Sequence, residues 1–275
     1  MKYTEADINR IKQKAKEIRR DSIYMIHKAK EGHPGGSLSC ADIVAALYFC
    51  VLNIDPRHPN DPNRDRVILS KGHSCPAVYA ALCNRGFFER EQLDKLRKHG
   101  SMLQGHPDMR KTPGIDMSSG SLGNGLSAGL GMALSARWKK QNYRVFVILG
   151  DGEMQEGIVW EAIMCAAHHQ LSNLIAIVDI NGLQLTGRTD ENISLGSLKD
   201  KFHSFNWNVI EINGHDIAEI LSAIDKTNNF VGPTAILAKT VKGKGVSFME
   251  DEVLWHSKTI TDEDAQRAYK EIMGE

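Results

Sequence analysis

The sequence has no excess of charge of either sign: 34 Lys and Arg stand against 34 Asp and Glu. It offers no basic field to neutralise nucleic-acid phosphates, so nucleic acid is not an expected partner. It has no run of ~20 apolar residues, and no helical membrane span is expected. The opening residues Met1-Lys2-Tyr3-Thr4-Glu5 lack the apolar core of a secretory signal. Cysteine is scarce. Cys40, Cys50, Cys75, Cys83 and Cys165 are scattered, odd in number and without a CxxC pair. That pattern predicts reduced thiols in a cytoplasmic protein rather than a disulfide framework. A GxxxxGK[ST] phosphate loop is missing, which counts against a Mg²⁺-dependent nucleotide enzyme of that type. Internal repeats and low-complexity linkers are missing too. The 275 residues suffice for one large α/β domain or two small ones. Such a chain buries roughly three-quarters of its unfolded surface.

What is present is organised around residues 144–185. The apolar run Arg144-Val145-Phe146-Val147-Ile148-Leu149 stops at Gly150-Asp151-Gly152. A helix follows from about Met154 to His169, with Trp160, Ile163, Met164 and Ala167 at helical spacing. A second apolar run, Leu174-Ile175-Ala176-Ile177-Val178, closes on Asp179-Ile180-Asn181-Gly182. This reads as a strand, a crossover helix and a parallel strand. A right-handed crossover brings the carboxyl ends of both strands to one edge of the sheet, where open α/β sheets bind ligands. Asp151 and Asn181 can then stand side by side. One carboxylate and one amide oxygen make a sparse site of the kind Mg²⁺ accepts, with phosphate and water completing the octahedron. Glycines flanking Asp151 would let a diphosphate approach the backbone. By itself, GDG reads more readily as a tight turn after a strand.

Strands and helices alternate along the rest of the chain. Thr4, followed by Glu5 and Asp7, caps a predicted helix to about Lys30, with Ile8, Ile11, Ala15, Ile18, Ile23 and Ile26 on its apolar stripe. Gly32-His33-Pro34-Gly35-Gly36-Ser37 reads as a loop. A buried helix is predicted over 41–51, a strand over 66–70, and helices over 76–85 and 89–98. Lys71-Gly72-His73-Ser74 and Gly105-His106-Pro107 read as rigid loops. Ser118 to Gly125 forms a glycine-rich loop leading into a small-residue helix over 126–140, a favourable place for phosphate. A strand over 207–212, a helix over 217–227, a strand over 233–238 and a last helix capped by Thr261 follow. The Lys242-Gly243-Lys244-Gly245 charges read as solvated. The pattern predicts a doubly wound α/β fold, a mainly parallel sheet with helices on both faces.

Four of the eleven histidines, His33, His73, His106 and His256, sit in loops or at predicted element ends, where a scaffold can present function. Here a resemblance becomes specific. Gly150-Asp151-Gly152, a spacer of twenty-seven residues and then Ile180-Asn181 resembles the thiamine diphosphate fingerprint, with Ile180 in place of the usual Asn. Gly32-His33-Pro34-Gly35, Ser70-Lys71-Gly72-His73, Gly105-His106-Pro107, the Gly120 loop, that fingerprint and Lys239-Thr240 through His256 occur in the order found in transketolases. The similarity spans essentially the whole chain and matches only the N-terminal, diphosphate-binding portion of that family.

The resemblance implies the following. Asp151, Asn181 and the Leu183 carbonyl would hold Mg²⁺, with Ca²⁺ or Mn²⁺ as substitutes. Gly152 and Gly120, Ser121, Leu122 and Gly123 would line the diphosphate and thiazolium of thiamine diphosphate, with Leu122 and Leu185 on the ring. His73 and His256 would lie near the diphosphate and reacting carbon. His33 and His106 would bind donor hydroxyls and serve proton transfer, for which an imidazole pKa near working pH is suited. Glu156 and Glu161 would lie between paired catalytic modules. Ile180, in the fingerprint position usually held by Asn, would lie as an apolar residue beneath the cofactor. The family's pyrimidine-binding and C-terminal domains are not in this sequence, and the glutamate that activates the cofactor belongs to the former. The expectation is therefore one domain over 1–275, acting with a separate C-terminal transketolase subunit, two of each, on sugar phosphates. A split enzyme acting on a branched or sulfonated sugar, and a non-catalytic cofactor-binding module, are the alternatives. The alpha subunits of 2-oxo acid dehydrogenases share GDG but should lack the four histidines.

Overall fold

The computed structural model describes residues 3–274, so Met1 and Lys2 of the N-terminal stretch lie outside it. Helix α1 (Glu5–Ala29) opens with a capping box: the Thr4 hydroxyl accepts from the Asp7 N–H, and the Asp7 carboxylate accepts from the Thr4 N–H. Ile11, Ile18, Ile23 and Ile26 of its stripe are fully buried. The predicted loop after His33 is instead a short helix, α2 (Pro34–Ser39). Proline at the first helical position loses no hydrogen bond and brings the right φ, which offsets the glycines. Helix α3 (Ala41–Ala46) runs into one π-helical turn, Leu47–Val51.

Strand β1 (Arg66–Leu69), helix α4 (Cys75–Arg85), helix α5 (Asn124–Trp138), strand β2 (Val145–Gly150), helix α6 (Gly157–His168) and strand β3 (Leu174–Ile180) follow. The helix expected over 89–98 is only a 3₁₀ segment, Arg90–Lys95. Leu93 and Leu96 alone of that stretch reach the core, and Arg97 turns the chain with φ 62°. A small hairpin, β4 (Leu183–Gln184) and β5 (Gly187–Arg188), leads to the short helices α7 (Thr189–Asn192) and α8 (Leu198–Ser204). Strand β6 (Asn208–Asn213), helix α9 (Ile217–Thr227), strand β7 (Thr234–Lys239) and helix α10 (Asp262–Met273) complete the chain.

The main sheet has five strands in the order β1-β2-β3-β7-β6, and every pairing is parallel. Its strands read as continuous apolar runs because both faces are covered. Phe146, Ile148, Ile175, Ile177, Ile236 and Ala238 point into one core, with α1, α3, α4, α9 and α10. Val145, Val147, Leu149, Leu174, Ala176, Val178, Ala235 and Leu237 point into the other, with α5, α6 and α8. The predicted doubly wound architecture is what the chain adopts. The register sets Gly150 beside Asp179, so the β2 and β3 turns leave the sheet at the same level.

Candidate active site

Loops at the carboxyl edge of the sheet enclose a cavity of about 380 Å³. The predicted residues His33, His73, His106, His256, Gly120, Leu122, Asp151, Gly152, Glu156, Asn181, Leu183 and Leu185 all line it. Ser121 and Gly123 do not. Ser121 is exposed, and Gly123 donates its N–H to Glu153 Oε1 at 2.7 Å. Glu161 is exposed on α6, away from the cavity.

Asp151 is buried and tied directly to the second turn. Its Oδ2 accepts from Gly182 N–H at 2.7 Å and its Oδ1 from Gly152 N–H at 3.0 Å. Burial and the nearby Asp179 charge raise its carboxyl to about 6. Asn181 is oriented by Asp179, which accepts from Nδ2 at 3.3 Å, while Oδ1 accepts from Leu183 N–H at 3.2 Å. Among the described residues no group of three or more His, Cys, Asp or Glu side chains is gathered to hold a metal. A hard cation here would have to rely on one carboxylate, one amide oxygen and a backbone carbonyl.

His33, His73 and His256 form a triangle with ring centroids 5.2 to 5.5 Å apart. Burial is the main reason all four imidazoles are held below their ordinary range. His33 falls to about 4, with the Arg97 charge as second cause, and His256 to about 3, with Lys242 second. His73 lies well below 6.5 through burial and Lys71, and His106 is lowered by burial and Arg97. Burial in the fold therefore moves these imidazoles below the expected poise near working pH. At neutral pH these rings are neutral, each with one donor and one acceptor.

Four charged residues organise the site without having been given a role in the sequence. Lys242, read as solvated, is buried; its ammonium donates to the Leu183 carbonyl at 2.8 Å and lies 2.8 Å from His256 Nδ1. Burial, then the Lys71 charge, lower its pKa to about 8. Lys71 pairs with fully buried Asp179 and donates to the Gly36 carbonyl at 3.1 Å; Asp179 also accepts from Ser39 and Thr240 hydroxyls. Glu153 accepts from Gly123 N–H, from Gly150 N–H at 3.1 Å and from the Ser70 hydroxyl. It thereby ties the ends of β1 and β2 to the glycine loop, and its carboxylate takes the position at the start of α5 where phosphate was expected. The signal available for Lys242 was its place between two elements that end at the site; for Glu153, its adjacency to GDG.

The cavity suits a diphosphate ester with a cation. His33 Nδ1 is buried without a partner. Gly152 lines the cavity, and a Cβ added there would approach Gln184 Cβ at 3.1 Å, so glycine lets the β4 side chain pack against this turn. The Lys242 ammonium adds a positive charge, while Lys71 is already neutralised.

Comparisons with known proteins bear on the diphosphate ester. The family model described as "Transketolase, thiamine diphosphate binding domain" matches residues 11–274. A 6-deoxy-6-sulfo-D-fructose transketolase subunit from a Clostridium species is 45% identical over 95% of this chain and 96% of its own length. An apulose-4-phosphate transketolase subunit from Phocaeicola vulgatus is 42% identical over 92% of this chain and 90% of its own. Human transketolase is 38% identical over 95% of this chain, which spans only 42% of that protein. The crystal structure of Campylobacter jejuni transketolase superposes with a TM-score of 0.92 at 31% identity, covering 97% of this chain and 43% of that one. The chain thus belongs to the transketolase family of transferases, whose thiamine diphosphate-binding domain it carries.

Proposed function

We propose that this chain is the cofactor-binding subunit of a two-chain transketolase that moves a two-carbon ketol unit from a ketose phosphate to an aldose phosphate. The observation that carries the reading is the hydrogen bond joining Asp151 to the Asn181-Gly182 turn inside a cavity ringed by four histidines. Asp151, Asn181 and the Leu183 carbonyl would hold Mg²⁺. Lys242, Gly152 and the Gly120 to Leu122 segment would receive the diphosphate, with Leu122 and Leu185 against the thiazolium ring. Bound thiamine diphosphate supplies the nucleophilic carbon that accepts the two-carbon fragment. His33 and His106 would bind donor hydroxyls, and His73 and His256 would border the reacting carbon. A neutral ring can accept a proton at one nitrogen while giving one up at the other.

A separate C-terminal subunit would bring the glutamate that meets the pyrimidine, and two of each chain would assemble. The surface offered for this is the outer face of α5 and α6. Trp138 and Met164 are exposed there, Gly131 has open space beside it, and Glu161 is exposed. An obligate contact of this kind buries on the order of 2,000–5,000 Å². Two of the relatives matched end to end carry names with 6-deoxy-6-sulfo-D-fructose and apulose-4-phosphate, which favours a non-standard sugar for this chain as well. The test is reconstitution with a C-terminal subunit. Calorimetry should show thiamine diphosphate binding that requires Mg²⁺, and a panel of donors and acceptors should show ketol transfer by the pair. Asp151→Asn should abolish both. Robust transfer by this chain alone, or a pair that takes up no cofactor, would overturn the reading.

A further inference from the structure

We propose that His215 is a positioning residue that aims Lys242 into the active site through a neutral imidazole locked in one tautomer; this rests on the reading of Lys242 as a diphosphate contact. His215 follows β6 and does not line the cavity. It closes a network assembled from four distant parts of the chain. Arg19 of α1 makes a two-pronged ion pair with Asp42 of α3, its terminal nitrogens at 3.2 and 2.5 Å from the two carboxylate oxygens. Asp42 Oδ2 lies 2.8 Å from His215 Nδ1. His215 Nε2 accepts the backbone N–H of Val241 at 2.8 Å.

The last contact fixes the proton. A backbone N–H can only donate, so Nε2 carries no hydrogen and Nδ1 donates to Asp42. Both ring nitrogens are used, and the carboxylate behind the ring stabilises this tautomer over the other. The network is a poor investment in stability alone. A buried ion pair often does little more than offset its own desolvation, and Arg19 Nε is left without an acceptor. What it supplies is direction.

Val241 directly precedes Lys242. The rest of the turn is tied elsewhere: the Thr240 hydroxyl to Asp179, Gly243 N–H to the Gly35 carbonyl at 3.1 Å, and the Lys242 carbonyl to Asp251 N–H at 2.9 Å. His215 supplies the side-chain acceptor for the Val241 N–H. The Arg19 side chain also packs under Gly245, where an added Cβ would lie 3.2 Å from Arg19 Cδ. Removing the imidazole would orphan the Val241 N–H and let the turn shift. A long side chain magnifies such a shift at its tip, and an error of about 1 Å at a reacting site can cost a hundredfold.

The test is a double-mutant cycle on the reconstituted complex, read as affinity for thiamine diphosphate with Mg²⁺. His215→Phe should weaken binding about tenfold, the effect of one hydrogen bond to a charged group's support. His215→Gln should restore most of it, because an amide can accept from Val241 and donate to Asp42. In a Lys242→Met background, His215→Phe should add almost nothing. Nitrogen NMR of the wild-type chain supplies a check that needs neither cofactor nor folded variant: His215 Nε2 should resonate as an unprotonated ring nitrogen, and the Val241 amide should exchange slowly. A protonated Nε2, fast exchange at Val241, or fully additive losses would overturn the proposal. If the wild-type complex binds no thiamine diphosphate while the NMR signature holds, the cofactor reading has failed and takes the role given to Lys242 with it.

Discussion

Four imidazoles line one cavity, and burial holds all of them below their ordinary titration range. In the unfolded chain they titrate near 6.5, whereas in the fold His33 and His256 do so at about 4 and about 3. Between those limits the unfolded chain binds more protons than the folded one. Their contribution to stability is therefore fully present above 6.5 and is lost as pH falls through about 4 for His33 and about 3 for His256. Urea unfolding of the cofactor-free chain across this range should show the decline, and His33→Asn with His256→Asn should flatten it. Ile180 poses a different question. It lines the neighbouring crevice between β3, β6 and β7. Ile180→Asn should leave thiamine diphosphate affinity nearly unchanged in the assembled enzyme. A large loss measured by calorimetry would show that the residue reaches the site after all.

Helix α5 shows how an element is placed by what its residues lack. A Cβ on Gly125 would fall 2.8 Å from Ser70 Cα, and one on Gly129 would fall 2.6 Å from Val147 Cγ2. These glycines let the helix lie directly on β1 and β2. Gly125→Ala should cost about 1–3 kcal/mol by overpacking. Gly131 faces open space, and Gly131→Ala should stabilise the isolated chain by up to ~1 kcal/mol through helix propensity. Denaturant unfolding of the two variants separates the inner face from the outer one. Glu153 works at the same scale by joining three element ends. Glu153→Gln keeps the shape but replaces one acceptor with a donor, so one of Gly123 N–H and Gly150 N–H loses its partner. A stability loss of about 1–3 kcal/mol is expected, together with weaker thiamine diphosphate binding by the complex.

For the whole molecule the question is completeness. The fold binds on one edge of a five-stranded sheet, and that edge is open at Leu185, which is 64% exposed. A thiazolium ring packed on such a residue needs a second wall. The chain by itself should therefore show at most weak cofactor binding and no ketol transfer, and addition of a C-terminal subunit should raise both together. Kinetics with phosphorylated, branched and sulfonated ketoses would rank the donors. Equal rates for all of them would remove the preference drawn from the two relatives matched end to end. Among the described residues no helix is long and apolar enough to cross a membrane.

The sequence by itself determined the layered architecture, because continuous apolar runs and helical stripes are local patterns that survive being read one residue after another. It also determined the cavity's main lining, because Asp151, Asn181 and the four histidines all sit at element ends that a parallel sheet must gather on one edge. Only the tertiary structure decided which charges are buried. Lys242 and Lys244 look alike in a basic, glycine-rich turn, yet one points inward and the other pairs with Glu250 at 3.2 Å. Likewise Glu153 meets Gly123, and His215 meets Asp42 and Val241, only after distant segments have packed. Hydrogen-bond partners far apart in the chain leave no periodic trace in it, whereas hydrophobic faces do.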